Sequence, residues 1–146
     1  MKVHLIGVAG SGMSGIAGLL LALGHSVSGS DKAMTVEVTR LQSLGLRFHQ
    51  HHAAENIADA DLVIYSSAIR PGNAEYDEAI RTSRNLVRRA DALAAIMNCK
   101  KGVIVCGMHG KTTTASMAAH VLRVGGVHPS HYVTPSWPKP PSDLGK

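Results

Sequence analysis

Twice in 146 residues an apolar run ends on glycines and opens straight into a helical pattern. The first instance is Lys2-Val3-His4-Leu5-Ile6, then Gly7-Val8-Ala9-Gly10-Ser11-Gly12-Met13-Ser14-Gly15, then the run from Ile16 to Leu23. The second is Gly102-Val103-Ile104-Val105-Cys106, then Gly107-Met108-His109-Gly110-Lys111-Thr112-Thr113-Thr114. A strand that turns through glycine into a helix returns the chain to the start of the next strand. Repetition of that unit builds a parallel sheet covered by helices.

The rest of the chain keeps the same alternation. Strands are expected at 2–6, 26–29, 46–49, 61–66, 85–88 and 102–106, and helices at 13–23, 35–44, 53–58, 74–83, 90–97 and 111–124. Stretches such as Leu62-Val63-Ile64-Tyr65 are apolar on both faces, as strands buried between two helical layers must be. The fold class is therefore α/β: a Rossmann-like parallel sheet domain followed by the start of a P-loop ATPase domain. The boundary is expected at 98–101, through Asn98-Cys99-Lys100-Lys101.

Both glycine turns carry phosphate chemistry. In the second, Gly107 and Gly110 let backbone N–H groups point inward, Lys111 reaches the β/γ-phosphates of a nucleotide, and Thr112 offers its hydroxyl to Mg²⁺. Val105 stands where the longer G-x-x-x-x-G-K-[ST] spacing wants glycine, so the loop is a shortened variant. In the first turn Gly10, Gly12 and Gly15 satisfy G-x-G-x-x-G, and Asp31 ends the next strand 19 residues after Gly12. Those features describe a diphosphate on a helix N-terminus with a carboxylate near a ribose or base. They do not single out NAD. A dehydrogenase needs only the first loop and a simple nucleotidase only the second, so the pair points to a nucleotide-conjugate substrate together with ATP.

The net charge of +5 raises the question of nucleic acid, but the basic residues are mostly scattered and only five aromatic residues exist to stack on bases. Small anionic substrates account for the excess. The apolar stretch from Ile16 to Leu23 falls well short of a bilayer span, so no membrane partner is expected and the location expected is cytoplasmic. Cys99 and Cys106, separated by six residues, lack metal-ligand spacing and read as reduced thiols, Cys106 within a buried strand.

Five short motifs, in order, resemble those of the Mur ligases, the ATP-dependent amino-acid ligases of peptidoglycan synthesis. They are GVAGSGMSGIA from Gly7, SGSD from Ser28, SSAI from Ser66, RRADAL from Arg88 and GMHGKTTT from Gly107. The pattern is most similar to members that add L-alanine to UDP-N-acetylmuramate, with the murein-tripeptide ligases sharing much of it. The resemblance implies a UDP-N-acetylmuramate-binding domain over 1–98 and a truncated start of the ATP-binding central domain over 99–133. A disordered Pro-rich tail is expected over 134–146, where four prolines fall within 135–141.

Site residues follow from the same resemblance. Gly10, Ser11, Gly12 and Met13 present N–H groups to the UDP diphosphate. Asp31 either lies near the uridine or caps a helix over 32–44. Ser66 and Ser67 contact phosphate or uridine at the end of the fourth strand, His52 pairs with the uridine, and Arg88, or its neighbour Arg89, meets the diphosphate or the muramyl carboxylate. Gly107, Met108, His109, Gly110, Lys111, Thr112 and Thr113 hold ATP, with Lys111 and Thr112 catalytic and Thr112 a Mg²⁺ ligand. His49, His51 and His52 lack the supporting Asp, Glu or Cys pattern of a metal site. With the ATPase domain truncated, the chain alone is expected not to complete ligation. Two other classes remain open: a stand-alone UDP-sugar-binding module, and an NAD-dependent oxidoreductase that leaves 107–114 unexplained.

Overall fold

The computed structural model of the chain describes residues 1–99 and 101–130. The Pro-rich stretch 134–146, expected as a tail, lies outside the described residues. The chain divides into two compact units, 1–104 and 105–146.

The first unit runs β1 Lys2–Ile6, α1 Ser11–Ala22, β2 Ser26–Ser30, α2 Val36–Ser43, β3 Arg47–His49, a 3₁₀ turn Ala54–Ile57, β4 Leu62–Tyr65, α3 Ala74–Arg81, β5 Leu86–Arg88 and α4 Arg89–Asn98. All four strand pairings are parallel, in the order β3-β2-β1-β4-β5. The central strand β1 is the most buried. Val3, His4, Leu5 and Ile6 are shielded completely or nearly so, as expected of a strand with partners on both edges and helices on both faces. The expected helix at 53–58 is a 3₁₀ turn, too short to hold an α-helical bond ladder.

Local chemistry sets the helix ends. Thr35 Oγ1 accepts the Val38 N–H and starts α2, while Asn73 Oδ1 accepts the N–H groups of Glu75 and Tyr76 and starts α3. On one side of the sheet, α1 packs against α2 and α4; α3 packs with the 3₁₀ turn. Ile6, Ile57, Ala60, Val63 and Ala79 form the apolar contact under α3. Leu5, Ile16, Leu41 and Ile64 are also fully buried, and truncating any of them to alanine costs about 2–5 kcal/mol.

Gly29 on β2 shows how tightly the glycine turn after β1 lies on its neighbour. A Cβ at that position would stand 2.7 Å from Val8 Cβ, so only glycine admits the turn against β2.

In the second unit, α5 spans Lys111–Val124. The strand expected at 102–106 does not form, and Val103 and Ile104 stand 77% and 74% exposed. A strand exists only by pairing, and among the described residues no strand pairs with this stretch. Cys106 is accordingly exposed rather than buried, and Cys99 is exposed too; both are free thiols.

Candidate functional site

The strand order reverses between β1 and β4, so the connections leaving their carboxyl ends run to opposite sides and leave a crevice between them. A cleft of about 190 Å³ opens there, lined by Gly10, Ser11, Gly12, Met13, Ser66, Ser67 and Arg89. That volume suits part of a large ligand rather than the whole of one. No side chain caps the N-terminus of α1, and no acidic residue sits in its first turn. The positive end of the helix therefore bears on the cleft, whose lining also includes Arg89. Such a site favours a phosphate or diphosphate.

The glycine turn hangs from the end of β2. Ser30 O accepts the N–H groups of Gly7 at 2.8 Å and Val8 at 3.0 Å, and Asp31 Oδ2 accepts that of Ala9 at 3.0 Å. Gly7 has φ +86°, and a Cβ there would lie 3.4 Å from Ser66 Cβ. The turn thus passes close over the end of β4, which brings Ser66 beside Gly10–Met13. Ser66 also shapes its own turn, its Oγ accepting the Ala68 N–H at 3.3 Å.

Behind this edge lies a buried polar cluster centred on Glu75, which is fully shielded from solvent. Its Oε2 accepts from Ser30 Oγ and from His52 Nδ1 at 2.8 Å, and its Oε1 accepts from Asn56 Nδ2 at 2.6 Å. His4 Nε2 lies 3.4 Å from Oε1, a long contact without good hydrogen-bond alignment, while His4 Nδ1 pairs with Ser28 Oγ at 2.9 Å. Burial pushes the Glu75 carboxyl up, but its contacts with His4, Ser30, Asn56 and His52 outweigh burial and hold it at about 2. Glu75 is thus a carboxylate at any physiological pH. His49, next to the cluster, is pulled below its ordinary value by burial, then by His4 and Arg47, with Glu75 opposing.

In the second unit Gly110, at φ +77°, precedes α5, and the Thr114 N–H returns to Gly110 O at 2.9 Å. Lys111 Nζ donates to Gly107 O at 2.7 Å and Met108 O at 3.2 Å, so its ammonium curls over the loop that precedes it. Met108, His109, Gly110, Lys111 and Thr113 are exposed, and Thr112 is half-buried. The uncapped α5 N-terminus carries no acidic residue in its first turn.

The structure brings Gly10, Ser11, Gly12, Met13, Ser66 and Ser67 to one cleft, with Arg89 and not Arg88 completing it. Arg88 instead donates through Nε to Tyr65 Oη at 3.1 Å. Consecutive residues at the β5–α4 junction thus differ, Arg88 meeting Tyr65 and Arg89 lining the cleft. Asp31 is not a helix cap; Thr35 has that role, and the Asp31 carboxylate braces the Ala9 amide and accepts the Ala33 N–H at 3.2 Å. His52 lies at the sheet's carboxyl edge as expected, but with Nδ1 turned into the Glu75 cluster. Among the described residues no group of three His, Cys, Asp or Glu side chains is arranged to hold a metal ion.

Sequence reading missed Glu75, His4 and Asn56. The available signal was polar residues at buried positions: His4, Ser28 and Ser30 sit on adjacent central strands, where each needs a polar partner.

Residues 2–101 match the Mur ligase family, catalytic domain. The UDP-N-acetylmuramate–L-alanine ligase of Pelotomaculum thermopropionicum is 48% identical over 128 residues, covering 88% of this chain and 28% of that protein. The corresponding ligase of Bdellovibrio bacteriovorus is 46% identical over 129 residues, with the same coverage, 88% and 28%. This chain thus spans less than a third of the length of those relatives. The UDP-N-acetylmuramate-alanine ligase of Thermotoga maritima superposes with a TM-score of 0.78 at 35% identity, over 84% of this chain and 29% of that one. A murein peptide ligase from Psychrobacter arcticus gives 0.80 at 30% identity, over 86% and 27%.

Proposed function

The chain belongs to the Mur ligase family, and on that premise we propose that it carries the UDP-N-acetylmuramate site and the ATP-phosphate loop of an L-alanine-adding ligase. The observation that supports this most is the cleft at the β1/β4 switch, where Gly10–Met13, Ser66, Ser67 and Arg89 converge. A diphosphate there takes backbone N–H groups from the α1 N-terminus, hydroxyls from Ser66 and Ser67, and a bidentate partner in Arg89.

In the proposed reaction the muramyl carboxylate attacks the γ-phosphorus of ATP, giving an acyl phosphate and ADP. The amine of L-alanine then adds to the acyl carbon, and inorganic phosphate leaves as the amide forms. Lys111, released from Gly107 O and Met108 O, neutralises charge gathering on the transferred oxygens. The Thr112 hydroxyl, first after the lysine on α5, is the side-chain oxygen of this loop that would help to hold Mg²⁺. When bound, Mg²⁺ would supply positive charge against the phosphates. A nucleotide-sugar and ATP as substrates make the cytoplasm the expected location, and no helix among the described residues is long and apolar enough to cross a membrane.

The cleft lies wholly within unit 1–104, with its own core, and this also favours a second reading: UDP-sugar binding without ligation by this chain alone. Calorimetric titration tests the common ground, with UDP-N-acetylmuramate expected to bind and NAD not to compete. Tighter binding of NAD would overturn both readings. ATP binding that is lost in Lys111→Ala separates them, since only the ligase reading needs the loop at 107–114 to grip phosphate.

A further inference from the structure

Three consecutive amides of the glycine turn are held by the end of β2. The N–H groups of Gly7 and Val8 go to Ser30 O, and that of Ala9 goes to the Asp31 carboxylate. From there the hydrogen bonds run on into the cleft. Gly7 O accepts the Gly10 N–H at 3.2 Å, and Gly10 O accepts those of Met13 and Ser14, both at 2.9 Å, where α1 begins. Gly10 and Met13 line the cleft. The placing of the turn therefore depends on where the Ser30 carbonyl is held.

Behind Ser30 stands Glu75. Ser30 is fully buried, and its hydroxyl donates to Glu75 Oε2. The same carboxylate draws in three further segments: His4 of β1, His52 after β3, and Asn56 of the 3₁₀ turn. Burial disfavours a charge, and a well-packed apolar residue in such a place is often as stable or more so, so stability alone does not account for a wholly buried carboxylate on α3. What an apolar side chain cannot do is receive the Ser30 hydroxyl.

Resting on the reading of the cleft as a diphosphate site, we propose that Glu75 is a positioning residue for that diphosphate, acting through Ser30 on the glycine turn that the ligand meets. Glu75 stands outside the cleft lining, and its path to the cleft is Ser30 Oγ on one side and Ser30 O, toward Gly7 and Val8, on the other. An ionised carboxylate only accepts, so the Ser30 hydroxyl is turned toward it and the side chain is kept in one rotamer. The bond is charge-assisted, which makes it roughly twice as strong as a neutral one. With its side chain fixed, the end of β2 keeps its carbonyl aimed at the two amides. A turn ordered before the ligand arrives spares binding the cost of ordering it.

The test compares the purified parent with Glu75→Gln, Ser30→Ala and the double variant, each under conditions where it is fully folded, by UDP titration and amide hydrogen exchange. In E75Q the side-chain oxygen can serve only one side of the cluster. While it faces Asn56, the amide nitrogen faces Ser30, whose hydroxyl must turn its proton away. S30A keeps the carboxylate and the carbonyl at position 30 and removes the link between them. Each single variant is expected to weaken UDP by about five- to tenfold, the size of one hydrogen bond. The double variant should lie within about twofold of the weaker single one, because both changes cut the same link. The Gly7 and Val8 amides should quicken in exchange more than that of Asp61, which bonds Lys2 O at the opposite end of β1.

Unchanged UDP affinity in E75Q, losses that add in the double variant, or Gly7 and Val8 amides that quicken no more than Asp61 would each overturn the proposal. The cleft reading survives those results, since the parent still binds UDP. A parent that does not bind UDP overturns the cleft reading and this proposal together. Should E75Q fail to fold, S30A decides: intact UDP affinity defeats the proposal, and a loss with quickened Gly7 and Val8 amides upholds it.

Discussion

The carboxylate of Asp31 receives the amide of Ala9 at 3.0 Å, tying the end of β2 to the middle of the glycine turn that lines the cleft. The aspartate thereby acts on the turn from behind, whether or not a ligand touches it. Removing it by Asp31→Ala deletes a charge-assisted hydrogen bond worth about 1.5–3 kcal/mol, and part of that loss should appear as weaker UDP binding. Asp31→Asn keeps an oxygen that can accept the Ala9 N–H and should keep most of the affinity. Calorimetry on the two variants decides the matter, since equal losses would mean that Asp31 binds the ligand through its charge.

Gly29 offers a test of how the turn is seated. In Gly29→Ala the new methyl stands 2.7 Å from Val8 Cβ, and the backbone turn must move to admit it. Overpacking of this kind costs about 1–3 kcal/mol, and urea unfolding should show it as a lower midpoint with an unchanged slope. Adding Val8→Ala should recover only part of the loss, because it removes the two methyls at 2.9 Å and leaves Cβ in place. Full recovery in the double variant would place the conflict in the methyls alone.

All five strands of the first unit were legible in the sequence because β1 and β4 are apolar on both faces and glycines punctuate their ends. The cleft was legible for a related reason: glycines, serines and an arginine at strand ends have few structural reasons to be there. Two things were hidden. Gly102-Val103-Ile104-Val105-Cys106 has the composition of a strand, but composition cannot supply the neighbour that makes one. Glu75, within Ala74-Glu75-Tyr76-Asp77-Glu78, looks like one more acid in a helix N-terminal turn. Its burial depends on His4, Ser30 and Asn56, from segments separated from it in sequence by 71, 45 and 19 positions.

Acid should expose that burial. The Glu75 carboxyl titrates at about 2 in the folded chain against 4.5 for a free one, so folding favours its ionised form. The stabilisation, about 3 kcal/mol in order of magnitude, is fully present above pH 4.5 and is lost as pH falls from there toward 2. Unfolding midpoints measured stepwise from pH 5 to 2 should therefore drop steeply in the parent. In Glu75→Gln the chain should be less stable at pH 5, with a shallower decline below it. Parallel curves for the two proteins would show that another group governs acid unfolding.

Arg88 and Arg89 are adjacent and differently employed. Arg89 lines the cleft with Gly10–Met13 and the two serines, while Arg88 is held by Tyr65 Oη at 3.1 Å at the end of β4. A guanidinium facing a diphosphate supplies charge-assisted hydrogen bonds, so Arg89→Ala should weaken UDP binding by about 1.5–3 kcal/mol, roughly ten- to a hundredfold. Arg89→Lys keeps the charge but not the planar fork and should fall between the two. Arg88→Ala gives up a contact with Tyr65 and should leave UDP affinity within about twofold of the parent, with any loss appearing as a small shift in thermal midpoint. Titration of the three variants with UDP and with uridine separates charge from fold. The Arg89 variants should bind uridine like the parent, and a matching loss for uridine would place Arg89 at the base rather than at the phosphates.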